Sequence, residues 1–374
     1  MNSEAAYWLA LVNASGLKLS VLKPVAQKWY LMEGRSIAQL FNLSAAELAF
    51  RFNLSETDAK SILQAADSYQ RQLTLLEQWQ AQDIQLIPLS HPHYPTRLVY
   101  TLPPIQQPLL LWAKGKTELL AEPTITFLGN SNPQPQAVQY IKNLIEILVE
   151  ENIGVVSGYG KGLDRSAFES ILTAEHGHAV AILPMGLTAF SQLTNKLDAP
   201  VAGERAVLLS PYPPDTPYKE TLADARNTLV DSLAMALLVP QIDQAAHPRA
   251  KAALNRGMPV LVGNTDSPAS RDLIVAGAFL MTDPEEVVEM VQQAIIDNAM
   301  QAQIAQQPAQ EKAPSPPPAK SGDDDDDDYA LSADPLDPIA ADEALDILSA
   351  AGKVPNSLRA KLMALEKQAA SSKQ

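Results

Sequence analysis

The stretch Ser157-Gly158-Tyr159-Gly160-Lys161-Gly162-Leu163-Asp164 decides the fold. It follows an apolar run, Ile153 to Val156, and opens a helical pattern, so three glycines, a lysine and a helix start meet at the carboxyl end of an expected strand. Glycine lets the backbone approach a ligand closely, and the N–H groups of a first helical turn carry partial positive charge that favours a phosphate. Phosphate or nucleic-acid binding is the expectation; an ordinary tight strand-to-helix turn is the alternative.

Around this octapeptide, from residue 122 onward, short apolar runs alternate with helical stretches. The expected strands are Thr124–Leu128, Ile153–Ser157, Ala179–Leu183, Ala206–Leu209, Ala234–Val239, Val260–Val262 and Phe279–Met281. Between them lie amphipathic segments such as Ala137–Glu150, with Val138, Ile141, Leu144, Ile145 and Leu148 on one face. Fully apolar strands alternating with helices imply an open, doubly wound, Rossmann-like α/β domain over residues 122–298, its parallel sheet covered on both faces. Ligands of such folds sit beyond the carboxyl ends of the strands. Gly129-Asn130-Ser131, Ser157 to Asp164, Pro184-Met185-Gly186 and Val262-Gly263-Asn264 all fall there, which marks one rim as a pocket edge.

Toward the amino terminus, residues 1–82 read as a small all-α module of the SAM or helix-hairpin-helix kind. Its expected helices are Glu4–Ala14, Ser20–Trp29, Ser36–Phe41, Ser44–Phe50, Ser55–Ser68 and Gln70–Gln80. Ser44-Ala-Ala-Glu47 and Ser55-Glu-Thr-Asp58 resemble capping boxes, and Ser36 precedes an apolar-periodic run. Residues 83–121 read as a connector with two short extended segments, Ile84–Ile87 and Leu109–Trp112, around a proline-punctuated His91-Pro92-His93-Tyr94-Pro95. The two histidines are read as part of a turn rather than as metal ligands. Toward the carboxyl terminus, residues 299–338 are rich in Pro and Asp, including Pro314–Pro318 and six consecutive aspartates, Asp323 to Asp328. Such a segment buries too little apolar surface to fold and reads as an acidic flexible linker before a short helical segment at 339–374.

Composition narrows the function classes. The chain of 374 residues has no cysteine, which excludes disulfides, thiolate nucleophiles and cysteine-ligated zinc. No apolar run suffices to cross a bilayer, and the first ten residues lack a basic stretch ahead of their apolar ones, so a cytoplasmic location is expected. The net charge of −15 owes much to the aspartate block and says little about any local patch.

Pro95-Thr-Arg-Leu98, Pro103-Pro104, Gly129, the Ser157–Asp164 run, Ala181-Ile-Leu-Pro-Met-Gly-Leu187, Ser210-Pro-Tyr-Pro213 and Ala225-Arg226-Asn227 stand in an order that resembles the DNA-processing protein A (DprA/Smf) family. The resemblance covers roughly residues 35 to 285. It implies a protein that binds single-stranded DNA, protects incoming strands during natural transformation and hands them to a RecA-type recombinase, with a homodimer as the expected assembly. Ser157, Gly158, Lys161, Gly162 and Asp164 match the family's Ser-Gly-x-x-Arg-Gly-Ile-Asp pattern, with lysine replacing arginine. Arg226 and Asn227 match two residues of an Arg-Asn-Arg run whose last position is Thr228 here. Gly129 matches a Gly-Ser-Arg turn but is followed by Asn130 and Ser131. Phe168 stands where the family has histidine, and Pro240-Gln-Ile-Asp-Gln-Ala245 replaces a Gly/Ser-rich turn.

The expected phosphate-binding set is therefore Gly129, Ser131, Ser157, Gly158, Lys161, Gly162, Asp164, Gly186, Arg226 and Asn227. In it, Lys161 and Arg226 neutralise phosphates, Ser157 and the glycine amides donate to phosphate oxygens, and Asp164 caps the helix it opens. Arg249, Lys251 and Arg256 form either a supplementary basic face or a solvated one. Neither a Walker lysine–Ser/Thr pair nor a Pro-Gly-Gly-x-Gly-Thr turn is present, so no catalytic residue, cofactor or metal is expected. The alternative function is a nucleotide-sensing module that has lost the DNA surface.

Overall fold

A computed structural model describes residues 2–263 and 267–306. Asn264, the acidic linker from residue 307 on and the segment 339–374 lie outside the described residues.

Among the described residues, nine strands form one sheet: β1 (Ile84–Pro88), β2 (Leu110–Gly115), β3 (Thr124–Phe127), β4 (Gly154–Ser157), β5 (Ala179–Ile182), β6 (Ala206–Ser210), β7 (Leu237–Val239), β8 (Val260–Val262) and β9 (Phe279–Leu280). Their order is β1-β2-β6-β5-β4-β3-β7-β8-β9. From β6 to β9 every pairing is parallel, whereas β2 is antiparallel to both β1 and β6. All residues of β3 to β8 are buried, as a sheet covered on both faces requires.

The two extended segments expected within the 83–121 connector form β1 and β2 and lengthen this sheet. Trp112 pairs with Ser210 and Gly115 with Val207, so the segment is stitched to the domain it was expected merely to precede. The physical cause is burial: Leu109, Leu110, Leu111, Trp112 and Ala113 are each at most 4% exposed and need a sheet to cover their backbone groups.

The helical module comprises α1 (Asn2–Ala14), α2 (Leu19–Gln27), α3 (Ile37–Leu40), α4 (Ala45–Phe52), α5 (Glu56–Gln64) and α6 (Tyr69–Gln80). Ser44 and Glu47 form a complete capping box, each satisfying the other's backbone amide. At α5 only half of the box exists: Ser55 accepts from the Asp58 amide, and no return bond to Ser55 is made. Aspartate is one methylene shorter than the glutamate that closes the box at Ser44. Trp8 and Trp29 fill the centre of the module, and α1 and α6 rest on β1, so module and sheet share one apolar core.

The remaining helices connect or cover the strands: α7 (Arg97–Thr101), α8 (Pro135–Glu150), α9 (Leu163–Thr173), α10 (Leu187–Ser191), α11 (Asp198–Ala202), α12 (Glu220–Leu233), α13 (His247–Asn255), α14 (Pro268–Val275) and α15 (Pro284–Gln306). In α8, Ile141, Leu144, Ile145 and Leu148 face the sheet, and Pro135 starts the helix where its missing N–H costs nothing. Helix α15 runs past the boundary expected at residue 298, because Ala294, Ile295 and Ala299 continue its buried stripe. Arg97, within the Pro95–Leu98 run, pins it: the buried guanidinium donates to Asn298 Oδ1 at 2.7 Å and to the Ala234 carbonyl at 2.8 Å.

Candidate functional site

The chain leaves β3 through β4 and β5 to β6, then returns to the other side of β3 through β7. The crevice between β3 and β7 is thus the topological switch point at which open α/β sheets take ligands. Here it is closed. The Asn130 amide donates to the Gln241 carbonyl at 3.1 Å, and the Gln134 amide donates to Gln241 Oε1 at 3.0 Å. Gly129 has a φ of 155°, and a methyl group on it would overlap the Gln241 carbonyl. Gly129 therefore serves loop-to-loop contact. Gln241 belongs to the Pro240–Ala245 turn that replaces the Gly/Ser-rich turn of the resembled family.

One strand away, the β4–α9 loop is built differently. Ser157 is fully buried, and its Oγ accepts the Tyr159 amide at 2.7 Å. Asp164, in the first turn of α9, reaches back with Oδ2 to the Gly160 amide at 2.9 Å. Gly162 holds a φ of 88° with Ser131 and Asn130 packed against its α-carbon, and the Leu163 amide donates to the Asn130 carbonyl at 3.2 Å. Four amides of this loop, those of Lys161, Gly162, Asp164 and Arg165, keep no acceptor among the described residues. They belong to the start of an eleven-residue helix, where the macrodipole adds partial positive charge. The Lys161 side chain is exposed and has no polar partner among the described residues. These groups are suited to receiving an anion.

Arg165 and Tyr159 complete the loop and were missed in the sequence. The Arg165 guanidinium lies 4.6 Å from the centre of the Tyr159 ring and donates to the Tyr159 carbonyl at 3.1 Å, while its Nε is buried without an acceptor among the described residues. Tyr159, at a left-handed φ of 53°, is held edge-on by Phe168 and Phe190 at 5.4 and 6.2 Å. Phe168 thus supports the loop from within the core. Lys161 precedes α9 and Arg165 lies in its first turn, so no helical spacing linked the two cations in the sequence.

Three expectations are corrected. Arg226 does not face solvent: it is 7% exposed, and its guanidinium donates to the Gly158 and Ile182 carbonyls. A side chain on Gly158 would overlap that guanidinium, so the glycine admits arginine rather than phosphate. Burial pushes Arg226 below its usual pKa, with Asp164 opposing the shift. Ser157 is buried beneath the loop, its Oγ accepting the Tyr159 amide and its hydroxyl bonded to Asp164, so it is turned away from the rim. Asp164 is not the helix cap, since Gly162 occupies that position; it is a clasp on the loop. Burial raises its pKa, opposed by Ser157, Arg249, the Gly160 amide and Arg226.

Gly186 is also structural. Its amide donates to the Thr216 carbonyl at 2.8 Å, and its bare α-carbon admits the Pro213 and Pro214 carbonyls. Ser131 is exposed beside Gly162, and Asn227 is half-buried on α12. Arg249 and Arg256 both clasp the buried Asp231, at 2.6 and 2.9 Å, and Lys251 pairs with Asp272 at 2.8 Å. Those three cations are therefore committed within the protein. Residues His91 and His93 lie in a turn, with the His93 amide donating to His91 Nδ1 at 3.0 Å. Among the described residues no helix is long and apolar enough to cross a membrane.

A mostly parallel Rossmann-like sheet flanked by a helical module places the chain among the doubly wound α/β proteins. Within that class, the family described as DNA recombination-mediator protein A matches residues 85–292, and the chain belongs to this family. The chain is 29% identical over 243 residues to Protein Smf of Synechocystis sp., covering 64% of this chain and 58% of the relative. It is 27% identical over 215 residues to Protein Smf of Escherichia coli, covering 55% and 56%. These alignments thus span a little over half of the relatives' length. The X-ray structure of DNA processing protein A from Streptococcus pneumoniae superposes with a TM-score of 0.59 at 21% identity, covering 76% of this chain and 97% of that one, and so shares its fold.

Proposed function

We propose that this chain binds single-stranded DNA at the carboxyl rim of its sheet and passes it to a RecA-type recombinase in the cytoplasm. The observation that carries this reading is the β4–α9 loop: four amides without an acceptor beside the free Lys161 ammonium, in a member of a recombination-mediator family. Phosphate contacts of this kind position a strand without reading its bases. The Arg165–Tyr159 stack offers a surface for an unpaired base, which favours single strands over duplex.

The site acts by binding rather than catalysis: Ser157 is buried, its hydroxyl bonded to Asp164, and the Asp164 carboxyl is turned inward and disfavoured as a charge. Closure of the β3–β7 crevice by Gln241 weighs against the alternative of a nucleotide sensor. A homodimer is supported by the sheet edge at β9, whose Phe279 and Leu280 are 55% and 41% exposed beside an 88% exposed Val275 on α14.

The test is an oligonucleotide titration at several salt concentrations. Each neutralised phosphate should contribute a slope of about −0.7 in log K against log salt. Lys161→Ala should weaken binding by roughly 1.5–3 kcal/mol, as for loss of a hydrogen bond to a charged group, and leave the melting temperature unchanged. Lys161→Arg should retain binding, since the planar fork suits phosphate. Salt-independent binding, or full affinity in Lys161→Ala, would reject the site. A panel of free nucleotides run alongside tests the sensor alternative.

A further inference from the structure

Between the helical module and the sheet, beyond the carboxyl end of β6, lies a cavity of about 620 Å³ that shares no lining residue with the β4–α9 loop. Its walls are mostly apolar: Val12 of α1, Leu19 at the start of α2, Leu110 and Trp112 of β2, Tyr212 beyond β6, and Leu229 of α12. Ligand pockets have volumes of about 300–1,000 Å³ and recur where two structural units meet. The only charged side chain on this wall is Lys23.

Lys23 is 9% exposed. Its ammonium donates to the Ile105 carbonyl at 2.6 Å, and no carboxylate lies within ion-pair distance of it among the described residues. An ammonium has three donors, and one neutral carbonyl satisfies only one. Burial lowers the pKa of Lys23, with no neighbouring charge opposing the shift. A buried cation without a counter-charge is costly, and the cost falls when an anion joins it. A peptide would press unpaired backbone amides against the apolar wall, whereas a small molecule with one charged head would not.

We propose that this cavity binds a small amphipathic organic carboxylate, its head on the Lys23 ammonium and its apolar body against Leu19, Trp112 and Leu229. The site shares no lining residue with the β4–α9 loop and does not depend on DNA binding.

Calorimetric titration of the full chain with sodium decanoate tests this, with decan-1-ol as the uncharged control. Saturable one-to-one uptake of decanoate is expected, with decan-1-ol at least tenfold weaker. Lys23→Met should cost roughly ten- to hundredfold in decanoate affinity, the range for losing a charged hydrogen bond. Ala225→Trp, at an exposed position on the cavity wall, should abolish uptake by filling the space without altering charge. It keeps the test decisive if Lys23→Met does not fold. Absence of saturable uptake, equal affinity for the alcohol, or decanoate affinity unchanged in the folded variants would overturn the proposal. Lys161→Ala should leave decanoate binding intact, so failure here and failure of the DNA site are read separately.

Discussion

Lys161 and Arg226 carry the same charge, yet burial gives them different work. Lys161 stands free at the rim, while Arg226 braces the loop from beneath through the Gly158 and Ile182 carbonyls. Arg226→Ala should therefore act on stability: stranding those carbonyls costs about 1–3 kcal/mol, which lowers the melting midpoint by roughly 3–10 °C for a domain of this size. Differential scanning calorimetry checks this, and an unchanged midpoint would show that the brace is dispensable. Asp164 makes a pH-dependent claim. Its folded pKa is raised above the ordinary 3.8, so the folded state binds more protons than the unfolded one between the two values, and stability falls as pH rises through that window. Asp164→Asn keeps an acceptor for Gly160 and removes the titration. The variant's midpoint relative to the parent should therefore rise with pH from about 4 upward; a difference flat in pH would mean that Asp164 is not desolvated. The residue types at these positions were legible, but their orientation was not. Whether an arginine faces solvent or core depends on which carbonyls a distant loop brings within reach.

At the scale of elements, the six buried parallel strands β3 to β8 were legible as apolar runs, because a strand buried on both faces needs apolar side chains on both. Ser36, Ser44 and Ser55 marked helix starts for the equally local reason that a cap satisfies amides two or three residues away. Pairing of β2 with β6 was not legible, since it joins residues such as Trp112 and Ser210 that are far apart in the chain. Strand β9 also departs from expectation: it is apolar like its neighbours, yet Phe279 and Leu280 are exposed at what is the sheet edge among the described residues. Such an edge is a template for pairing with another chain. Phe279→Lys combined with Val275→Glu should convert a dimer to a monomer in sedimentation velocity while leaving the far-ultraviolet circular dichroism unchanged. A dimer that survives both changes must use another surface.

At the scale of the molecule, a chain of net charge −15 is proposed to hold a polyanion. The two are reconciled if the aspartate block, Asp323 to Asp328, competes with phosphate for the cationic rim. Removing residues 307–374 should then strengthen oligonucleotide binding, most at low salt, because screening confines the competition to roughly 8 Å at physiological ionic strength. Anisotropy titrations of the truncated and full chains measure this, and equal affinities would show that the block does not reach the site. Fold class, the order of the parallel strands in the chain and the helix starts all followed from local signals: hydrophobic periodicity and capping residues act over a few residues and can be read along the chain. Three features were decided only by tertiary structure: Gln241 closing the switch-point crevice, Arg226 turning inward beneath the loop, and Arg249 and Arg256 being consumed by Asp231. Each depends on the free-energy cost of burying a charge or a backbone group without a partner, and the partner in each case comes from a remote part of the chain.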